Sequence, residues 1–304
     1  MIKMTQKQLE AKFPTEDACY AEVVQMRWPD GPRCPRCQSE KVHKLSRAWR
    51  WQCKRCSKNG YRFSPLVGTI FENTNVPLRT WFTVIYLMCQ SKKGMSALQI
   101  QRLIGKQQLK KGKPDGEGSY KTAWYMCHRI RAAMQGDQFP KLTGIVEIDE
   151  TYVGGKEGNK HLGQRSGRQG TLGKVGVIGA ISRKGNVTCR VIEAMDTETV
   201  GQFVKDTIND VVELVATDDH KVYEHMYWGP LRKHESVNHS AEEYVRGIVH
   251  TASIDSFWSL LKRGIMGQFH HVSKKYLPLY VNEFAFRHNH RESPDIFRAV
   301  LAGC

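Results

Sequence analysis

Long apolar runs are missing from this chain of 304 residues. The longest, Trp81 to Cys89, spans nine residues, and a membrane-crossing helix needs roughly 20. Acidic residues are a minority: 30 Asp and Glu stand against 46 Lys and Arg, a net charge of +16. That balance argues against a hydrolase of small molecules and favours a polyanionic partner, because Lys and Arg that neutralise phosphates release condensed counterions. An anionic membrane surface is the competing partner. The opening residues, MIKMTQKQLEAKFP, lack the apolar core of a signal peptide, so a cytoplasmic protein is expected. There, nine Cys read as thiols or metal ligands rather than as disulfides. Internal repeats and low-complexity tracts are absent. What is present is 40% hydrophobic, enough for real cores, at a length that suggests two domains or three small ones.

The patterning changes twice along the chain. Residues 1–76 hold an acid-led amphipathic helix from Thr15 and then a short, basic, Cys-rich stretch. Residues 77–140 read as helices: LRTWFTVIYLMC, SALQIQRLIG and YKTAWYMCHRIRAAM, the last two separated by the polar loop KQQLKKGKPDGEG. From 141 to 304 short apolar runs alternate with helical periods. Gly144–Val153, Lys174–Ser182 and Asn186–Ala194 read as strands, the last two joined by the tight turn RKGN. A helix opens at Asp196, Val211–Thr217 is a fourth strand, and Glu243–His250 is taken as a fifth. Ile254–Ile265 and Lys274–His288 read as helices. Hairpin-joined strands followed by strand–helix crossovers describe a mixed α/β sheet.

Two cysteine pairs stand out. Cys34-x2-Cys37 and Cys53-x2-Cys56 are separated by 15 residues, the spacing of a zinc site in which two turns supply four thiolates to one ion. A segment this small buries too little apolar surface to fold alone, and zinc would supply about 10–16 kcal/mol of apparent folding energy. Redox or incidental cysteines are the alternative. The other five Cys lack such pairing. From Val42 to Arg62 the chain is basic and free of acid. Arg50, Lys54 and Arg55 interleave with Trp49, Trp51, Tyr61 and Phe63, which suits phosphate contacts with stacking support. The plainer reading is a solvated basic face over ribbon-core aromatics. The helices that follow are compatible with a helix-turn-helix-like unit. In the last of them Ala123, Met126, Ile130 and Ala133 form the buried stripe. Lys121, His128, Arg129 and Arg131 lie elsewhere and are candidates to face a DNA groove. Many small helical domains share that pattern.

Three carboxylates are candidate metal ligands. Asp149 interrupts an apolar strand, GIVEIDETYV, where an unpaired acid facing the sheet is costly. Asp218 follows the strand VVELVAT, at the end where α/β sheets bind ligands. If the two strands are neighbours, the acids converge, and a divalent cation relieves their repulsion. Turn and solvent-facing roles are the alternative. Glu150 and Asp219 are the neighbours most easily confused with them. Asp255 opens a helix, where an acid also suits the helix dipole. Lys262 lies seven residues on, two turns along the same face, with Arg263 beside it. Scattered histidines (His234, His239, His250, His270 and His271) have no regular metal spacing.

These motifs together resemble the bacterial insertion-sequence DDE transposases that carry an N-terminal zinc ribbon, the ISXO-like group related to Merlin elements. The segments that carry the resemblance are CPRCQSEKV, WQCKRC and YRFSPLVGTIFENT, then VEIDETYVGGK, ATDDHKVY and the stretch from ESVNHS to RHNHR. The resemblance implies a ribonuclease H-like catalytic domain behind the ribbon and the helical DNA-binding region. It maps the catalytic acids to Asp149, Asp218 and Asp255 and an accompanying Lys to Lys262. It implies two Mg²⁺ or Mn²⁺ ions on the three acids and one structural zinc. The expected partner is double-stranded DNA, as element ends and target. Hydrolysis at the ends and strand transfer are the expected reactions, by at least a dimer acting at the bacterial nucleoid, with no membrane partner. One departure is visible: the third acid is usually Glu in that group, and Asp255 is shorter by one methylene, a change in reach of about 1.5 Å. The stretch from Gly154 to Gly173 reads as a loop that orders on DNA, or as plain disorder. A domesticated, non-catalytic DNA-binding protein and another ribonuclease H-like nuclease are the rival readings.

Overall fold

The computed structural model describes residues 4–56, 59–104, 119–135, 139–155, 173–229, 232–238, 241, 243 and 245–304. The polar loop expected before the third helix and most of the Gly154–Gly173 stretch lie outside the described residues. Two compact units are formed, one by residues 1–136 and 291–304, the other by residues 137–290.

The first unit opens with two short helices, α1 (Gln6–Lys12) and α2 (Glu16–Arg27). Thr5 starts α1 with a capping box closed by Gln8, and Thr15 caps α2. A small antiparallel sheet follows, β1 (Val42–Lys44), β2 (Trp51–Cys53) and β3 (Tyr61–Phe63), in that order. Three-residue strands need an external anchor. Trp28, at the end of α2, supplies one by packing edge-on against Trp51 and Phe63. Helix α3 (Leu78–Gln90) is buried on nearly every side, which is why its apolar run is continuous rather than periodic. Its N-cap residue, Pro77, offers no side-chain bond, and the Glu16 carboxylate accepts from the N–H groups of Leu78 and Arg79 instead. Helices α4 (Ala97–Ile104) and α5 (Tyr120–Ala133) pack on α3 and on each other.

The second unit is a five-stranded sheet. Its strands are β4 (Ile145–Val153), β5 (Val175–Ser182), β6 (Val187–Ile192), β7 (Val212–Asp218) and β8 (Arg232–Val237), in the spatial order β6-β5-β4-β7-β8. The first three pair antiparallel, and β4, β7 and β8 run parallel. One face is covered by α6 (Thr197–Thr207) and the short α7 (Lys221–Glu224), around Val146, Ile148, Val200 and Phe203. The other is covered by α8 (Ala252–Gly264) and α9 (Leu277–Asn289), around Val177, Ile254, Trp258 and Phe284. Asp196 caps α6, as its sequence pattern predicts.

Two expectations are corrected. The fifth strand is β8 and not Glu243–His250, where an isolated bridge joins Arg246 to Val249. Strand β8, RKHESV, is a charged edge strand and has no apolar alternation to announce it. The last residues also leave the sheet unit: α10 (Ile296–Ala302) packs on α2, α3 and α5, burying Phe297 against Phe13 and Phe82.

Candidate active site and metal centres

Strand β4 places its acids by the two-residue period of a strand. Glu147 and Asp149 share the Val153 face, towards α8, while Glu150 belongs with Val146 and Ile148 on the α6 side. Strand β4 pairs with β7 only from Ile145↔Leu214 to Glu147↔Ala216. The offset is 69 residues, and the same offset separates Asp149 from Asp218. The two carboxylates therefore occupy equivalent positions just past the last pair, where the strands cease to bond. A parallel pair that parts at its C-terminal end opens the crevice in which such sheets bind ligands.

Asp149, Glu150 and Asp218 each bring an oxygen within 4.8 Å of the others. The Tyr223 hydroxyl, on α7, donates to Glu150 Oε2 at 3.0 Å, and the His220 N–H donates to Asp218 Oδ1 at 3.3 Å. Burial, reinforced by the charges of Glu150, Asp218 and Asp255, pushes the Asp149 carboxyl up to about 8. Burial and the Asp218 charge also raise Glu150. Three hard oxygen donors that resist being charged together fit a divalent cation of the Mg²⁺ or Mn²⁺ type.

Asp255 stands in the first turn of α8, exposed, with Oδ2 accepting from Thr251 Oγ1 at 3.1 Å. Its charge reaches Asp149, but its oxygens are not among those within 4.8 Å of one another. Glu150 completes the tight group. Lys262 and Arg263 are exposed farther along the same helix. The sequence reading gave no role to Gly179. It pairs with Asp149 across β4 and β5, and a Cβ there would come within 2.7 Å of the Trp258 ring. Only a bare backbone lets that indole pack against the residue paired with Asp149.

The cysteines gather in the first unit. Cys34 Sγ lies 3.4 Å from Cys56 Sγ, and Cys37 Sγ lies 3.7 Å from Cys53 Sγ, with all four sulfurs within 4.8 Å of one another. A tetrahedral zinc site with Zn–S bonds of about 2.3 Å needs sulfurs about 3.8 Å apart. All four cysteines are free thiols. Burial acts against ionising Cys34, yet the N–H groups of Cys37 and Arg36 bring its thiol down to about 7. Among the described residues, His234, His250, His270 and His271 join neither group.

Residues 141–289 match the ISXO2-like transposase domain, and residues 14–59 match the transposase zinc-ribbon domain. The chain belongs to this transposase family. It is 28% identical over 288 residues to a Halobacterium salinarum protein described as an uncharacterized protein in transposable element ISH50, covering 90% of this chain and 91% of that one. Among solved structures it is similar to a chain of a simian T-cell lymphotropic virus intasome bound to PP2A regulatory subunit B56 gamma, at 10% identity and a TM-score of 0.28. That match covers 66% of this chain and 64% of the other, just under two thirds, and is too loose to carry an argument.

Within the family's ribbon, Lys54 and Arg55 are exposed and, with Lys41 and His43, line a groove of about 680 Å³. Arg50 is half-buried, its Nη1 donating to the Trp49 carbonyl at 3.4 Å. The aromatics are chiefly ribbon core: Trp51 and Phe63 are buried, and Trp49 donates to Asp17 and stacks on Tyr20. On α5 only Lys121 is freely exposed among the four expected groove-facing residues. Arg131 is 2% exposed and His128 7%, so neither reaches a phosphate from here. The buried stripe of α5 is wider than its four apolar members. Arg129 donates through Nη1 to the carbonyls of Ile70 and Glu72, at 2.5 and 2.9 Å, and so ties α5 to the preceding segment. A cavity of about 740 Å³ against α2 and α10 contains none of the cysteine ligands.

Proposed function

We propose that this chain is a DNA transposase whose second unit, a ribonuclease H-like domain, cuts and rejoins phosphodiester bonds with divalent cations held by Asp149, Glu150 and Asp218. The observation that carries the reading is the shared offset of Asp149 and Asp218 past the last β4–β7 pair, with Glu150 closing the group. Family membership supports the transposase reading, and the basic first unit supports double-stranded DNA as substrate. The substrate is the element's terminal repeats and then target DNA, handled by at least a dimer in the cytoplasm. No described helix is long and apolar enough to cross a membrane. One or two Mg²⁺ ions, when bound, supply Lewis-acid stabilisation of the attacking and leaving oxygens in an in-line displacement.

The chain's own residues do the rest. Asp149 and Asp218 hold the cation site from two strands, and Glu150 closes it from the α6 side, oriented by the Tyr223 hydroxyl. Asp255 adds negative charge from α8, and Lys262 and Arg263 on that helix meet the phosphates that flank the scissile bond. Lys54, Arg55 and Lys121 hold the duplex, and the four cysteines hold one structural zinc that keeps the ribbon folded.

The test is cleavage of a duplex that ends in the element's terminal repeat. Asp218→Asn is expected to bind that duplex as the wild type does and to lose Mg²⁺-dependent cleavage by at least about 10²-fold, the scale of removing a group that stabilises the transition state. Equal cleavage by mutant and wild type rejects the metal assignment. An inactive wild type that still binds the ends favours a domesticated binding protein. Cleavage without strand transfer favours another nuclease of the same fold.

A further inference from the structure

Glu147 is completely buried on β4, two residues before Asp149. A buried carboxylate is tolerated when every oxygen is bonded, and here three of its four hydrogen bonds come from one helix turn. Oε2 accepts from the N–H groups of Ser253 at 2.7 Å and Ile254 at 3.1 Å. Oε1 accepts from Ser253 Oγ at 3.0 Å and from Arg183 Nε at 2.7 Å. Arg183, just after β5, also donates through Nη2 to the His250 carbonyl at 3.1 Å. Ser253 and Ile254 belong to the first turn of α8. The N-cap residue of that helix, Thr251, makes no capping bond with its side chain, so the cap arrives from a strand more than a hundred residues earlier.

The origin of the cap matters. A local Ser or Asp cap fixes a helix to its own chain. A cap from β4 fixes α8 to the strand that carries Asp149. The apolar face of α8, with Ile254, Phe257, Trp258 and Leu261, is not directional enough to do this, because burial is roughly proportional to area. A slip of one residue along the helix axis moves Asp255 by about 1.5 Å, comparable to the reach of a methylene.

We propose that Glu147, backed by Arg183, is a positioning residue: it pins α8 to β4 so that Asp255 stands beside the Asp149–Glu150–Asp218 group. The inference rests on the reading of that group as the cation site. Glu147 touches neither the cation nor the DNA and acts through the helix.

The experiment uses the full chain with Glu147→Gln, which keeps one oxygen for the α8 amides and removes the charge, and with Arg183→Lys, which keeps the charge and loses the fork. Mn²⁺ binding to zinc-loaded protein free of other divalent cations is measured by calorimetry, amide exchange is followed at the first turn of α8, and end cleavage is resolved into kcat and KM, all well below the melting temperature. Glu147→Gln is expected to exchange faster at Ser253 and Ile254, to bind Mn²⁺ about 10-fold more weakly and to lose kcat with KM for DNA unchanged. In an Asp255→Asn background it is expected to add little, because the two residues act as one unit. Wild-type Mn²⁺ binding in a folded Glu147→Gln protein overturns the proposal. So does full additivity with Asp255→Asn, or a loss that follows only the unfolded fraction. If Glu147→Gln fails to fold, Arg183→Lys carries the same expectations in milder form and is judged by the same outcomes. Asp149→Asn separates the two layers: unchanged Mn²⁺ binding there rejects the cation site itself, whereas a dead Asp149→Asn beside a wild-type Glu147→Gln rejects only the positioning role.

Discussion

Asp149 lies where burial and three neighbouring acids all oppose its charge, and its carboxyl is pushed up to about 8. In the unfolded chain the same group ionises near its ordinary value of about 3.9. The native state therefore holds a proton that the unfolded state has released between those two values. The native protein binds more protons there, so stability falls as pH rises. The contribution of the protonated carboxyl is complete below about 4 and is lost by the time pH has passed about 8. Without Mg²⁺, Asp149→Asn, which is close in shape to the protonated acid, is expected to melt several degrees above the wild type at pH 8, with the gap closing towards pH 4. Mg²⁺ is expected to raise the wild-type melting point at pH 8 and to leave the variant where it was. Scanning fluorimetry of the zinc-loaded protein with and without Mg²⁺ reads both, and a variant that melts below the wild type at pH 8 contradicts the account.

Among the elements, those with a plain period were legible and those fixed by distant partners were not. Strands β4 and β7 and the cysteine turns follow from local pattern, and the equal offset of Asp149 and Asp218 turns a sequence separation into a place in the sheet. Strand β8 escaped because its edge position removes the apolar alternation. The clamp from Glu147 to α8 escaped because its partners lie 106 and 107 residues away, and nothing in a strand pattern names them. Helix α5 shows the same limit. Its basic residues look alike in sequence, yet Arg131 is interior, Arg129 ties down two carbonyls and Lys121 faces solvent. Substitution should divide them. Lys121→Ala is expected to weaken duplex binding and leave urea stability within about 0.5 kcal/mol of wild type. Arg129→Ala is expected to cost about 1–3 kcal/mol, since two carbonyls lose their donor. Urea midpoints that move equally for both contradict the division.

Charge is divided between the two units as sharply as the fold is. The first holds 27 Lys and Arg against 11 Asp and Glu, and the second holds 19 against 19, so the whole net +16 belongs to the first. The second unit, which carries the acids of the candidate site, has no net charge. Without cations those acids oppose a phosphate backbone, so under the proposed function the ribbon and helices are expected to lead in recruiting DNA, with divalent cations relieving the repulsion at the sheet. Counterion release makes this measurable: log affinity falls with log salt by about 0.9 per phosphate neutralised. Lys54→Ala and Arg55→Ala, at exposed ribbon positions, are each expected to weaken binding of an end-bearing duplex and to reduce the slope by about one phosphate's worth. Lys233→Ala, exposed on β8 but paired with Glu235 at 2.8 Å, is expected to leave the slope unchanged. Fluorescence anisotropy of a labelled duplex across a salt series gives all three slopes. If Lys233→Ala lowers the slope as much as the ribbon variants do, the sheet unit shares in recruitment and the division of labour between the units is wrong.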